Sequence, residues 1–176
     1  MADTGFLEFN VFASDSSAGT DAWASPTNAQ YSDDSRTIAT ASGFSLSSEY
    51  LKCTNLAGSS PFTGQVIIQG IEVQIEGYLV GNQGTDNISV YLVKGGTIQT
   101  GTAYSDDLWP SSDTVATLGG PTSLFGTTLT QSEVESSGFG IAIRAQALIL
   151  PSGTESCEID QVKVKIYYST GLFLTL

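Results

Sequence analysis

The sequence predicts an all-β fold: an antiparallel two-sheet sandwich, jelly-roll-like, with an extended N-terminal arm. Three observations carry that expectation. Apolar and polar residues alternate with a period of two in several separate segments, as strands with one buried face require. The 176 residues include 19 Gly, 23 Ser and 20 Thr but only 14% charged residues, a composition of short strands and frequent turns. Only residues 130–136 read as a helical turn, so no crossover helices exist to build a parallel sheet. The length fits one domain with a core of its own.

Residues 1–20 read as an arm and hinge. Phe6, Leu7, Phe9, Val11 and Phe12 form an apolar piece, followed by the Ser-Asp-Ser-Ser-Ala-Gly-Thr run from Ser14 to Thr20. Burying such side chains contributes roughly 1.5–3 kcal/mol each, so they must dock. They dock either as an edge strand on the chain's own sheet or on a neighbouring subunit. On the second view, removing residues 1–13 weakens attachment and leaves the sandwich folded.

Residues 21–168 are the sandwich. Short strands are expected at 37–41, 49–54 and 66–68. The plainest strand is 70–80, where Ile71, Val73, Ile75 and Leu79 alternate with Glu72, Gln74, Glu76 and Tyr78. The Gly81-Asn82-Gln83-Gly84-Thr85-Asp86 turn leads to Ile88, Val90 and Leu92, which reads as a long antiparallel hairpin. Further strands are expected at 98–104 and 114–118. Phe139, Ile141, Ile143 and Ala145, and then Val162, Val164, Ile166 and Tyr168, repeat the alternation and mark two more core strands. Residues 169–176 are an apolar tail containing Leu172, Phe173, Leu174 and Leu176. With the arm residues, these are the candidate partner-binding side chains.

Six Lys and Arg against 18 Asp and Glu leave a net charge of −12, which excludes binding nucleic acid by counterion release. No His is present, so a Ser-His-Asp or Cys-His centre and a His-liganded zinc site are excluded. No other nucleophile has an evident base, no cofactor motif occurs, and the chain reads as non-enzymatic. Cys53 and Cys157 fit two buried thiols or a single bridge. Apolar runs are too short for a membrane span and the acidic start does not read as a signal peptide.

Asp33-Asp34 and Asp106-Asp107 are oxygen ligands of the kind calcium takes, but without calcium-loop spacing they read first as turn formers, and no metal is assigned. Tyr104 and Trp109 are the candidates for a flat platform on which a sugar ring would stack; the competing reading places Trp109 in the core.

Three passages resemble tailed-bacteriophage virion proteins. They are Trp23-Ala24-Ser25-Pro26-Thr27-Asn28-Ala29 with Ser32-Asp33-Asp34 and Ala39-Thr40; the strand from Gly70 to Glu76 with Asn87-Ile88-Ser89-Val90-Tyr91-Leu92; and Leu118-Gly119-Gly120-Pro121-Thr122-Ser123-Leu124-Phe125-Gly126 with Phe139 to Ala145 downstream. Phe125 stands where that pattern has Trp. The resemblance implies a small jelly-roll-like virion protein that decorates or cements a capsid, or forms a fibre or tail appendage. It implies a homotrimer seated on the major capsid protein, made in the host cytoplasm and located on the virion surface, with no catalytic residues. The alternative is a receptor- or carbohydrate-binding module of a tail fibre, spike or head fibre.

Overall fold

The computed structural model describes residues 1–41, 45–58, 60–80, 87–101, 103–106, 109–148 and 155–170. The strands are β1 (Ala2–Asp15), β2 (Trp23–Ala24), β3 (Thr37–Thr40), β4 (Ser45–Ser47), β5 (Tyr50–Leu56), β6 (Val66–Val80), β7 (Asn87–Lys94), β8 (Thr97–Ile98), β9 (Tyr104–Asp106), β10 (Thr114–Gly120), β11 (Gly140–Leu148) and β12 (Ser156–Thr170). They pair antiparallel into two sheets. In the first sheet β10, β6 and β12 lie side by side, with β1 and β3 flanking different stretches of β12. In the second, β5, β11 and β7 form the centre, with β4 beside β11 and β8 and β9 beside β7. This is the jelly-roll-like sandwich that the alternation predicts.

The alternation sets which faces meet. Ile71, Val73, Ile75 and Leu79 of β6, Val162, Val164 and Ile166 of β12, and Phe139, Ile141 and Ile143 at β11 are fully buried in one continuous core. The parity of β6 switches once: Val66 and Ile68 face inward, then Ile71 and Val73 do. Tyr167 of β12 pairs with Gly70 and Tyr168 with Ile68, so an extra residue is inserted at that point, the signature of a bulge. Gly70 is required there, because a Cβ would sit 2.3 Å from the Gly120 carbonyl oxygen.

Two strand expectations are corrected. The long hairpin does not form: β6 pairs with β10 and β12, whereas β7 pairs with β11, β8 and β9. The chain passes from one sheet to the other between Val80 and Asn87. A turn-forming sequence guarantees a reversal but not pairing, and six residues are enough to span the ~10 Å between stacked sheets. The segment expected at 98–104 is also two short strands, β8 and β9, rather than one.

The N-terminal segment is no arm on a hinge. β1 pairs with β12 from Ala2 to Glu8 and with β5 from Phe9 to Asp15, so it leaves one sheet and joins the other between Glu8 and Phe9. Of the two readings of this segment, the structure takes docking on the chain's own sheets, and it does so on both. Phe9 is completely buried and Phe12 is 8% exposed, both in the common core. The crossover shifts strand parity around Asn10, where Asn55 of β5 opposite takes a left-handed conformation with φ 61°, and this aims both rings inward three residues apart.

The expected helical turn appears as α1 (Gln131–Val134), fixed by a capping box: the Glu133 N–H donates to Thr130 Oγ1, and the Thr130 N–H donates to Glu133 Oε2 at 2.8 Å, an arrangement that satisfies two otherwise orphaned donors. A 3-10 turn (Pro26–Gln30) precedes β3.

Because Phe9 anchors a strand common to both sheets, Phe9→Ala is expected to cost about 3–5 kcal/mol, read as a lower urea midpoint, and removal of residues 1–13 is expected to unfold the sandwich. A truncated chain that keeps a cooperative transition would contradict this role.

Candidate functional site

The five apolar residues of β1 do not form one strip. Phe9 and Phe12 are core residues and cannot anchor a partner without unfolding. Phe6 lies on the outer face of the first sheet, with the Lys165 ammonium 4.2 Å from its ring centroid; Leu7 packs against the core from its margin. Val11 is 48% exposed. With Ala13, Asp15, Lys52 and Thr54 it lines a shallow groove of ≈ 500 Å³ on the outer face of the second sheet. There Lys52 Nζ donates to the Gly96 carbonyl at 2.6 Å and approaches Asp15 at 3.4 Å. Leu172, Phe173, Leu174 and Leu176 lie outside the described residues.

The sugar platform loses its indole: Trp109 is 1% exposed and belongs to the core, so neither ring face is open for stacking. Tyr104 is in β9, with its side chain outside what is described. Asp33 accepts the Ser35 N–H at 2.9 Å and so makes a turn, while Asp34 pairs with Arg36 at 2.9 Å. Asp107 and the Asp106 side chain lie outside the described part. Among the described residues, no three His, Cys, Asp or Glu side chains are placed to hold a metal ion. Cys53 and Cys157 are both free and buried, and burial pushes both thiols far up from their ordinary value, so neither presents a thiolate at neutral pH.

A polar cluster that the sequence reading did not anticipate sits beside β12. Ile159 pairs with Thr37 and Gly77, and the register of β12 then slips before Gln161 pairs with Glu76, which leaves Asp160 as the bulged residue. Cys157 and Ile159 face inward before the slip, and Val162 and Val164 after it; this parity change is legible in the sequence. Asp160 is 1% exposed and accepts the Asp34 N–H at 3.2 Å. Around it, the Arg36 guanidinium binds Asp34 and Asp113 and stacks 5.4 Å from the Tyr78 ring centroid. The Tyr78 hydroxyl donates to Glu158 at 2.9 Å. The cluster ties the loop before β3 to β12 and to the start of β10. Each charged group in it already has a protein partner, and no nucleophile stands free beside a base, so the arrangement reads as a clamp rather than a reaction centre.

Burial pushes the Asp160 carboxyl above the ordinary carboxylate range, helped by the nearby Glu76 charge.

No family model and no curated protein matches the chain. A solved structure, that of Eiger TNF from S. frugiperda, is similar over 97% of this chain and 95% of that chain, with 13% sequence identity and a TM-score of 0.32. A superposition that loose adds nothing to the fold, which rests on the strand pairing itself.

The folded chain holds the Asp160 proton more tightly than the unfolded chain does, so stability falls as pH rises through its raised folded-state value. The penalty for the buried charge is absent below the ordinary carboxylate pKa and complete above the raised folded-state value. Asp160→Asn keeps an acceptor for the Asp34 N–H and removes the charge. It is expected to raise the urea midpoint at about pH 7 and to leave it unchanged at about pH 3. A lower midpoint at neutral pH would show that the charge itself, through Arg36, holds the clamp.

Proposed function

We propose that this chain is a non-enzymatic structural subunit of a virion, which decorates or cements the capsid of a tailed bacteriophage by attaching through one apolar pole. One observation supports the reading above the others. Ala2 pairs with Tyr168 and Thr170 pairs with Val66, so the first residues and the described end of β12 meet at the same end of the sandwich. Met1 and Ile67, 71% and 56% exposed, lie at that end, and the sequence that follows Thr170 is Gly171-Leu172-Phe173-Leu174-Thr175-Leu176. Met1 and Ile67 thereby present apolar side chains at one pole of a molecule carrying a net charge of −12.

A pole of that kind suits adhesion to a large surface: burial supplies roughly 25 cal/mol per Å² of apolar area, and adjoining strand ends supply main-chain hydrogen bonds. The acidic remainder keeps the unattached subunit soluble. The resemblance of the three sequence passages to phage virion proteins supplies the identity of the surface. Attachment, not turnover, is the expected activity.

The test is co-sedimentation of the full chain with capsids of the phage that encodes it. Ile67→Asp combined with Phe173→Asp is expected to lower binding at least tenfold, a loss of about 1.4 kcal/mol or more, with the urea midpoint unchanged. Val11→Asp, on another face, is expected to bind as the parent does. Undiminished binding of the double variant would overturn the polar attachment, and failure of the parent chain to bind capsids would overturn the virion reading.

A further inference from the structure

A β-sheet edge is a row of unpaired N–H and C=O groups, and folded proteins blunt such rows with charges, prolines, bulges or brevity. Among the described residues, the edges of this sandwich follow that rule except one. β2 and β8 have two residues each, and β4 and β9 three. β1 is long, but it carries Asp3, Glu8 and Asp15, bulges between Asp3 and Phe6, and changes sheets midway. β10 has none of these devices over its regular stretch, Thr114, Val115, Ala116, Thr117 and Leu118; only Gly119, with φ 87°, ends it.

One side of β10 pairs with β6 in unbroken register. Among the described residues, no strand pairs with the other side. Thr114, Val115 and Thr117 are exposed, Val115 at 49%.

Charge then selects the occupant. In a chain of net charge −12, these five residues carry no charge, and the acid next to them, Asp113, is paired with Arg36. Two copies of the molecule repel almost everywhere, but here they meet with no charged side chain on either edge. The stretch also complements itself. In antiparallel pairing about a two-fold axis at Ala116, Val115 of each copy lies opposite Thr117 of the other, a pairing of two β-branched residues on the outer face. Thr114 lies opposite Leu118, and the small Ala116 sits on the axis.

We infer that the β10 edge is a self-association site, at which two copies join their first sheets into one continuous sheet across a two-fold axis. This goes beyond capsid attachment, which uses the end of the sandwich at Met1 and Ile67 and does not depend on it. A ladder of five residues is smaller than the interfaces of permanent dimers, so the two copies exchange and the dimer population follows concentration.

The experiment is sedimentation equilibrium of the full chain over about a hundredfold range of concentration, alongside two double variants: Val115→Lys with Thr117→Lys, and Val115→Glu with Thr117→Glu. In the proposed register each variant sets like charges directly opposite each other twice. The parent is expected to rise from 18.4 kDa towards twice that mass, each variant to stay monomeric, and an equimolar mixture of the two variants to recover the dimer. A parent that stays monomeric or forms trimers, variants that still associate, or a mixture that stays monomeric would each overturn the assignment.

Discussion

The fold depends on one strand belonging to two sheets. A β-sandwich holds its sheets together mainly by side chains meeting across the gap, and such packing alone leaves them free to splay at an edge. β1 removes that freedom on one side, because its backbone hydrogen bonds run first to β12 and then to β5. Phe9, at the point of transfer, fills the corner that the change of sheet opens. Trp23 reinforces the join: its N–H donates to Ser14 Oγ at 2.9 Å, and its Nε1–H to the Glu49 carbonyl at 2.8 Å. The segment that composition marks as most detachable is thus the one that closes the structure.

Departures from alternation carry the finer design. Where parity slips at Gly70, the strand keeps Val66 and Ile68 in the core while the backbone passes beneath Gly120 and Pro121. Where it slips at Asp160, a carboxylate turns into a nearly dry environment and organises Arg36, Asp113 and Tyr78 around it. A buried charge of this kind opposes folding, but breaking its hydrogen bonds opposes folding more. Its contribution is to select one loop position among many, and it leaves Asp113 paired beside the start of β10.

What the sequence made legible is the set of groups that face inward. The apolar residues of β6, β11 and β12, the helical turn at 130–136 and the fold class follow from period-two alternation and local turn chemistry, which act over a few residues. What it concealed is partnership. Whether β7 lies beside β6 or across from it is decided by the packing of the whole sandwich, and the Gly81-to-Asp86 sequence suits either outcome. Trp109 is a similar case, because a large aromatic ring in a Pro-Ser-rich stretch reads first as a core plug but also as a surface platform. The Asp160 cluster draws on residues 34, 36, 78, 113, 158 and 160. No local window contains it, although the slip in parity between Ile159 and Val162 marks its centre.

The pairing of Ala2 with Tyr168 also sets a timetable. Translation proceeds at about 5–20 residues per second, so the first strand emerges roughly ten to thirty seconds before the strand it needs. Throughout that interval Phe6 and Leu7, whose register partners are in β12, lack that strand even after β5 has emerged to pair with Phe9 to Asp15, and on a polysome carrying several nascent chains the first β12 to appear can belong to a neighbour. Exchange of β1 between molecules would satisfy every backbone bond that the closed monomer satisfies, so the monomer's advantage is one of proximity: its own β12 arrives on the same chain.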